Sequence, residues 1–369
     1  MAGALRGDPR VVLVADAGGT SFRFNAVQGG RELLESHIRP SHGDDLAQSL
    51  GQLVEGFAAA HAATGQQAVA LSLGFPGPAD YAHGVIGDLP NLKGYRGGVP
   101  LGPILAARFG LPTFVHNDGA LFAYGEALGG LLPWVNDALA AAGSARRFRN
   151  LLGFTLGTGF GAGLVVDGQL VAGDNLAAAE VWTMRHRDLR NRVVEDGVSI
   201  RAIQHTYAEL IGIEPEHAPD PRAIAEIAAG RGLGDKLAAA QAFRRMGEAA
   251  GDAIAHAIAV IDGLVVIGGG LSGAAPWFLP ALLDELNGTL ETSSSPVHRL
   301  SSRVLDLDDP AGLAALVGAK PLQLPVPGSA LTVSYSPHKL TGLGVTRLGT
   351  STAIALGAYA CALEQLDRA

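Results

Sequence analysis

The chain has 369 residues, 48% of them hydrophobic and 17% charged, which excludes intrinsic disorder and calls for two domains or one large α/β unit. With 27 basic and 35 acidic residues its formal net charge is −8, so it lacks the cationic footprint of a general nucleic-acid binder. Its one cysteine, Cys361, excludes an intrachain disulfide and a cysteine-rich zinc site and fits a reducing cytoplasm, whereas its 51 glycines are about twice the usual share.

Val11–Ala15 reads as a buried strand, too short for the apolar region of a secretion signal. It enters the glycine loop Asp16-Ala17-Gly18-Gly19-Thr20, then a strand Phe22–Val27 and a turn at Gly29-Gly30. Ala68–Leu73 and Thr113–His116 are further strands, and Ala120–Leu128 is a helix that Asn117 or Asp118 can cap. The short basic run Arg146–Arg149 reads as a solvated loop. A second unit then repeats the first. Leu151–Leu156 leads into Gly157-Thr158-Gly159-Phe160-Gly161, then Leu164–Val166, then a turn at Asp167-Gly168. Gly157 stands to Gly168 as Gly18 stands to Gly29, which indicates an internal duplication. Pro221–Ala229 and Leu237–Ile261 are helical, Leu264–Ile267 is a strand entering Gly268-Gly269-Gly270, and Ala353–Asp367 is a terminal helix. The stretch Ala249–Ile267 is broken by Asp252, His256 and Asp262, so no membrane span is expected. Gly288–Leu348, rich in Ser, Pro and Gly, shows no periodicity and reads as an insertion.

Glycine loops after strands let the backbone approach a phosphate and aim several N–H groups at it. No Walker A sequence is present. Gly268–Gly273 matches G-x-G-x-x-G, the fingerprint of a dinucleotide-binding dehydrogenase, but no strand ending in an acidic residue follows about 20 residues later. That reading is the weaker alternative.

Taken in order, the motifs resemble those of the ROK (repressor, open reading frame, kinase) family of sugar kinases, within the actin-like ATPase architecture. They are Asp16–Thr20, Gly74-Phe75-Pro76-Gly77-Pro78, Pro90-Asn91-Leu92, Asn117-Asp118 followed by Glu126, Thr155–Gly159 and Gly268–Gly270. The resemblance implies a two-lobed α/β fold of duplicated ribonuclease H-like type. One lobe would be residues 1–116 with the terminal helix at about 349–369, and the other 117–348. It implies ATP-dependent phosphorylation of glucose or a related hexose or N-acetylhexosamine. Asp118 would be the general base, since a carboxylate within hydrogen-bond reach can take the proton of an attacking hydroxyl. Capping a helix is compatible with that role.

The same resemblance puts Gly18, Gly19, Thr20, Gly157, Thr158 and Gly159 around the β- and γ-phosphates and Gly268, Gly269 and Gly270 beside the adenosine. Asp16 would hold Mg²⁺ through water. Gly77, Asn91, Asn117, Asp118, Glu180 and Glu195 would face the sugar. This chain departs from the family at Ala179-Glu180-Val181-Trp182-Thr183, where Thr183 occupies a histidine position and the zinc-binding cysteines are missing, so zinc is not expected. His186 lies nearby, and its basic surroundings favour a surface position over a substitute for the lost imidazole.

A sugar-binding regulator with altered chemistry is the principal alternative. The family's repressors carry a DNA-binding helix-turn-helix, and a first strand starting at Val11 leaves no room for one. The expected partner is a small sugar, with neither nucleic acid nor membrane, in the cytoplasm; a homodimer is compatible with the sequence.

Overall fold

The computed structural model describes residues 5–89, 92–337 and 339–368. Two mixed sheets repeat one plan. In the first, β1 (Val11–Ala17) pairs antiparallel with β2 (Ser21–Gln28), which continues to β3 (Arg31–Glu32) and is flanked by β4 (His37–Pro40). On the other side β1 runs parallel to β5 (Ala68–Phe75). A small hairpin, β6 (Ala79–Asp80) with β7 (Val85–Ile86), follows β5, and β5 runs parallel to β8 (Thr113–Asn117). In the second sheet, β9 (Leu151–Leu156), β10 (Phe160–Val166), β11 (Gln169–Leu170) and β12 (Leu264–Gly268) reproduce this pattern. The repeat visible at Gly18/Gly157 and Gly29/Gly168 is therefore a repeat of whole sheets. Phe160 and Gly161, assigned above to the loop, are already paired in β10.

The helices are α1 (Leu46–Ala63), α2 (Leu101–Phe109), α3 (Asp118–Gly129), α4 (Leu131–Ala141), α5 (Ile200–Ile211), α6 (Pro221–Ala228), α7 (Lys236–Ile261), α8 (Ala275–Leu286), α9 (Pro310–Gly318) and α10 (Thr350–Leu366). Strand alternation sends neighbouring side chains into different cores. Val11, Leu13 and Ala15 pack with Leu53 and Phe57 of α1, whereas Val12 and Val14 face α3 and α10. In β9, Leu151 joins that central core and Leu152 and Phe154 join the one beneath α7 and α8. Burial on both faces is why these strands read as continuous apolar runs.

The segment 288–348 is more than an insertion. It supplies β15 (Ser302–Asp306) and β18 (Lys339–Val345), and β18 lies inside the second sheet between β12 and β15. Periodicity is weak there because β18, with Gly342 and Gly344, carries few large side chains. Two hairpins depart from this frame: β13 (Thr289–Leu290) with β14 (Val297–His298), and β16 (Leu322–Pro325) with β17 (Thr332–Tyr335).

α3 lies directly on the second sheet and against α10. A Cβ on Gly119 would fall 2.8 Å from the Ala162 carbonyl oxygen. One on Gly125 would overlap the Ala353 carbonyl group, leaving no rotamer that avoids the clash. Gly125→Ala should destabilise the protein by about 1–3 kcal/mol, read as a lower denaturation midpoint with unchanged slope. Gly51→Ala in α1, where a Cβ meets nothing within 4 Å, should be neutral or stabilising by up to about 1 kcal/mol.

Candidate active site

Parallel pairing brings the carboxyl ends of β1, β5 and β8 to one edge of the first sheet. Asp16 stands opposite Gly74, and Phe75 opposite Asn117. Open α/β sheets bind ligands at such ends. β8 passes without a linker into α3: Asn117 caps the helix by accepting from Ala120 N–H at 3.0 Å, and Asp118 is its first residue. The carboxylate of Asp118 accepts from Gly119 N–H at 2.9 Å. Burial, with the charges of Asp16 and Glu180 adding to it, nevertheless raises its pKa to about 6. The helix N-terminus and the amide bonds favour the ionised form, but they lose to desolvation.

Asp16 is also raised by burial, partly offset by the Ser351 hydroxyl, which donates to it at 2.8 Å, and by Arg23. Ser351 sits in the first turn of α10, far along the chain, and no local motif announces it. The loop after β5 brings in Tyr81, a second residue sequence reasoning missed. Its hydroxyl donates to the Phe75 carbonyl at 3.1 Å and accepts from the Asn117 side-chain amide at 3.3 Å. Burial, with the nearby charges of Asp118 and Glu180, pushes its phenol pKa well up. Gly77 faces this group: a Cβ there would lie 2.9 Å from the Tyr81 hydroxyl, 3.4 Å from Glu180 Oε1 and 3.6 Å from Asn117 Nδ2.

Glu180 is the central residue of an inverse γ-turn, closed by Val181 N–H to the Ala179 carbonyl at 2.7 Å. Ala179 before it has φ 65°, a left-handed conformation that strains a residue with a Cβ and marks a built turn. The Trp182 indole N–H donates to Glu180 Oε2. Glu195 lies elsewhere, on the second glycine loop: it accepts from Phe160 N–H at 3.0 Å and pairs with Arg201 at 3.3 Å. Asn91 and Pro90 lie outside the described residues.

The two glycine loops offer amides without protein acceptors at Gly19, Thr20, Thr158 and Gly159 among the described residues. Ser41 braces the first loop by donating its hydroxyl to the Gly19 carbonyl at 2.6 Å. The third loop lies beside the second, since a Cβ on Gly157 would be 3.8 Å from Gly270 N. Here glycine has two origins. The ring of Phe122 fills the space a side chain at Gly268 would need, and the Leu156 backbone does so at Gly269, so packing alone demands both. Gly270 alone meets nothing within 4 Å.

His186 departs from the surface position expected for it. It is 9% exposed, and its Nδ1 accepts from Asp188 N–H at 3.1 Å and Leu189 N–H at 3.3 Å. The ring is committed to the turn it sits in. Glu126 is fully buried and accepts from Leu131, Arg347 and Leu348 N–H and from the Thr346 hydroxyl, so it ties α3 to the start of α10.

A model of the ROK family matches residues 12–319. The chain belongs to that family. The dehydrogenase alternative is thereby set aside, and Gly268 closes β12 of a duplicated sheet. The glucokinase of Thermotoga maritima is 28% identical over 178 residues, covering 47% of this chain and 50% of the relative. The N-acetyl-D-glucosamine kinase of Vibrio cholerae is 31% identical over 175 residues, covering 46% and 51%. The chain thus spans about half the length of these curated relatives. A solved glucokinase from Parabacteroides distasonis is 48% identical, covers 98% of this chain and 99% of its own, and superposes with a TM-score of 0.83. The fold is the two-lobed α/β fold of ROK sugar kinases.

The raised Asp118 has a consequence for stability. Its folded pKa of about 6 exceeds the ordinary aspartate value of 3.8. The folded chain therefore holds the proton more tightly. The resulting stabilisation is complete below about pH 4 and is lost as pH rises through about 6. In buffer free of divalent cations, Asp118→Asn should be more stable than the unmutated protein by about 2 kcal/mol at about pH 8, with no difference below about pH 4. Denaturant titration at both ends of that window checks it.

Proposed function

We propose that this protein is an ATP-dependent hexose kinase whose general base is Asp118. The observation that carries the reading is the position of Asp118, a carboxylate raised to about 6 at a helix start, within reach of the charges of Asp16 and Glu180. A base is most useful with a pKa near the working pH. The lobes would be residues 1–116 with about 349–369, and 117–348, so that Asp118 opens the second lobe where it meets the first.

In this reading the sugar lies among Gly77, Asn117, Glu180 and Tyr81. Carboxylate, amide and phenol groups match a ring of hydroxyls, and a sugar lacking one of them leaves a buried group unpaired. Glu195 would join the sugar side to the second glycine loop through Phe160 N–H. The triphosphate would rest on the free amides of Gly19, Thr20, Thr158 and Gly159, in loops that Gly18 and Gly157 close through their own N–H groups, with the adenosine against Gly268–Gly270. Asp118 accepts the hydroxyl proton as the sugar oxygen bonds to the γ-phosphorus and the bridging P–O bond breaks, releasing ADP. Positioning and charge neutralisation supply most of the acceleration.

The residues also suit magnesium. Asp16 and Asp118 are half-buried neighbouring carboxylates, both raised, and hard oxygen donors of this kind are what Mg²⁺ takes. Asp16 would hold the ion through water, and bound Mg²⁺ would neutralise phosphate charge. Glucose and N-acetylglucosamine are the acceptors to try first, since the relatives are named for them. A cytoplasmic setting is consistent with the buried free thiol of Cys361.

ADP release should depend on added sugar across a panel of hexoses and N-acetylhexosamines. Its kcat/KM should fall about tenfold per unit below about pH 6, and Asp118→Asn should lose about 10²–10⁴-fold. Sugar binding without sugar-dependent ADP release would replace the kinase reading with a sugar-binding regulator. Full activity in the Asn variant would remove Asp118 as the base.

A further inference from the structure

Strands β9, β12, β18 and β15 run parallel to one another. The carboxyl ends of β9 and β12 enter the glycine loops, so the amino ends of all four gather at the opposite edge of the second sheet. Strands of five to seven residues separate the two edges by roughly 17–23 Å. A cleft of about 1700 Å³ opens at the far edge. It is lined by Arg146, Arg147 and Arg149 ahead of β9, Arg303 in β15, Lys320 behind α9 and Lys339 at the start of β18. In a chain of net charge −8, these six cations meet two carboxylates in the same lining, Asp167 and Asp262. Arg149 pairs with Asp167 at 3.0 Å, and Asp262 accepts from the Ser302 hydroxyl at 3.5 Å. Among the described residues Arg147 donates to backbone carbonyls alone, and Arg303, Lys320 and Lys339 have no carboxylate partner. The Arg146 guanidinium lies 4.4 Å from the Phe148 ring centroid and donates to the Leu340 carbonyl, which ties the basic run to β18. Loss of solvent lowers its pKa, and the charge of Asp262 only partly offsets this. Like charges crowded around one cleft repel each other, and a bound anion removes that cost.

We propose that this cleft is a binding site, separate from the glycine loops, for a compact soluble anion that carries two or more phosphate groups. Guanidinium forks match phosphate oxygens in pairs, and ammonium groups add point charges. Ser144, Ser301 and Ser336 bring hydroxyl donors to the same lining. The charge count sets the number of phosphates. One phosphate carries at most about −2 at neutral pH, so the four cations without a carboxylate partner match about two of them. The size sets the manner of binding. The cleft exceeds the roughly 300–1,000 Å³ of ordinary small-molecule pockets, so its ligand is held at an open site by charge and keeps part of its hydration. A long polyanion or a nucleic-acid duplex fits less well. Either would run beyond the cleft onto a surface whose remaining charge is more negative than the −8 of the whole chain. An anionic membrane also fits less well, because a flat surface does not fill a concave cleft. A phosphorylated metabolite and a short inorganic polyphosphate share the required chemistry.

Titration calorimetry on the full chain, in buffer free of divalent cations, tests the site with fructose 1,6-bisphosphate, inorganic tripolyphosphate and inorganic phosphate. At least one of the first two should bind with a Kd below about 100 μM, and at least about tenfold more tightly than inorganic phosphate. The tighter of the two names the source, metabolite or inorganic chain. Raising salt from about 0.05 to about 0.5 M should weaken the binding at least about tenfold. Arg303→Glu with Lys339→Glu should weaken it at least about 30-fold. Arg108→Glu with Arg222→Glu makes the same change of net charge on exposed residues outside the cleft and should leave the Kd within about threefold. Arg303 and Lys339 are exposed, so their double variant should keep the unmutated circular dichroism spectrum. The proposal fails if neither probe binds more tightly than inorganic phosphate. It fails equally if the cleft variant binds as the parent does, or if the control pair loses as much. Binding to phosphatidylcholine–phosphatidylserine vesicles with neither soluble probe bound would overturn it in favour of a membrane surface, and binding of a duplex oligonucleotide alone would overturn it in favour of nucleic acid.

Discussion

The backbone-to-backbone seating of α3 is the constraint on which the rest depends. The helix touches the second sheet at Gly119 and α10 at Gly125, where even a methyl group does not fit. Such close approach leaves one position along the axis and nearly one rotation. Asp118, the first residue of that helix, is fixed with it. Glu126 secures the other end by collecting three backbone N–H groups and a hydroxyl, which ties α3 to the turn that starts α10. α10 in turn delivers Ser351 to Asp16. One helix pair therefore joins both sheets and sets both carboxylates.

Those carboxylates are kept at a cost. Asp16 and Asp118 repel each other and have lost solvent, and the bonds from Ser351 and Gly119 only partly compensate. Groups so perturbed cluster at functional sites, because the same desolvation that lowers stability makes a carboxylate a better base. The strained Ala179 before Glu180 belongs to the same pattern of local cost at the site.

Where the family's zinc segment is missing, local hydrogen bonding shapes the chain. An isolated bridge pairs Arg185 with Val193, Val194 N–H reaches the Met184 carbonyl at 2.7 Å, and buried His186 closes the turn through two amides. The Trp182 indole holds Glu180. These bonds place Glu180 beside Gly77 and Glu195 beside Gly159 with protein groups alone.

Much of the architecture was written locally. Val11–Ala15, Leu151–Leu156 and Leu264–Ile267 declared themselves as strands because burial on both faces demands unbroken apolar runs, and the spacing of Gly18 to Gly29 and Gly157 to Gly168 declared the duplication. Asn117-Asp118 marked a helix start because a cap is a short-range bond. What remained illegible depends on contacts between distant segments. Gly125 and Gly268 look like any other glycines until Ala353 and Phe122 arrive beside them, so the glycine excess reads as loops when part of it is packing. Ser351 and Tyr81 carry no motif, and His186 was misjudged because its basic neighbours suggest water while the fold buries it. The sequence by itself determined which glycine loops and carboxylates are the candidates for phosphate and for the proton. Only the tertiary structure decided how they meet, because the pKa of Asp118 depends on Asp16, Glu180 and lost solvent, none of which is set by its neighbours in the chain.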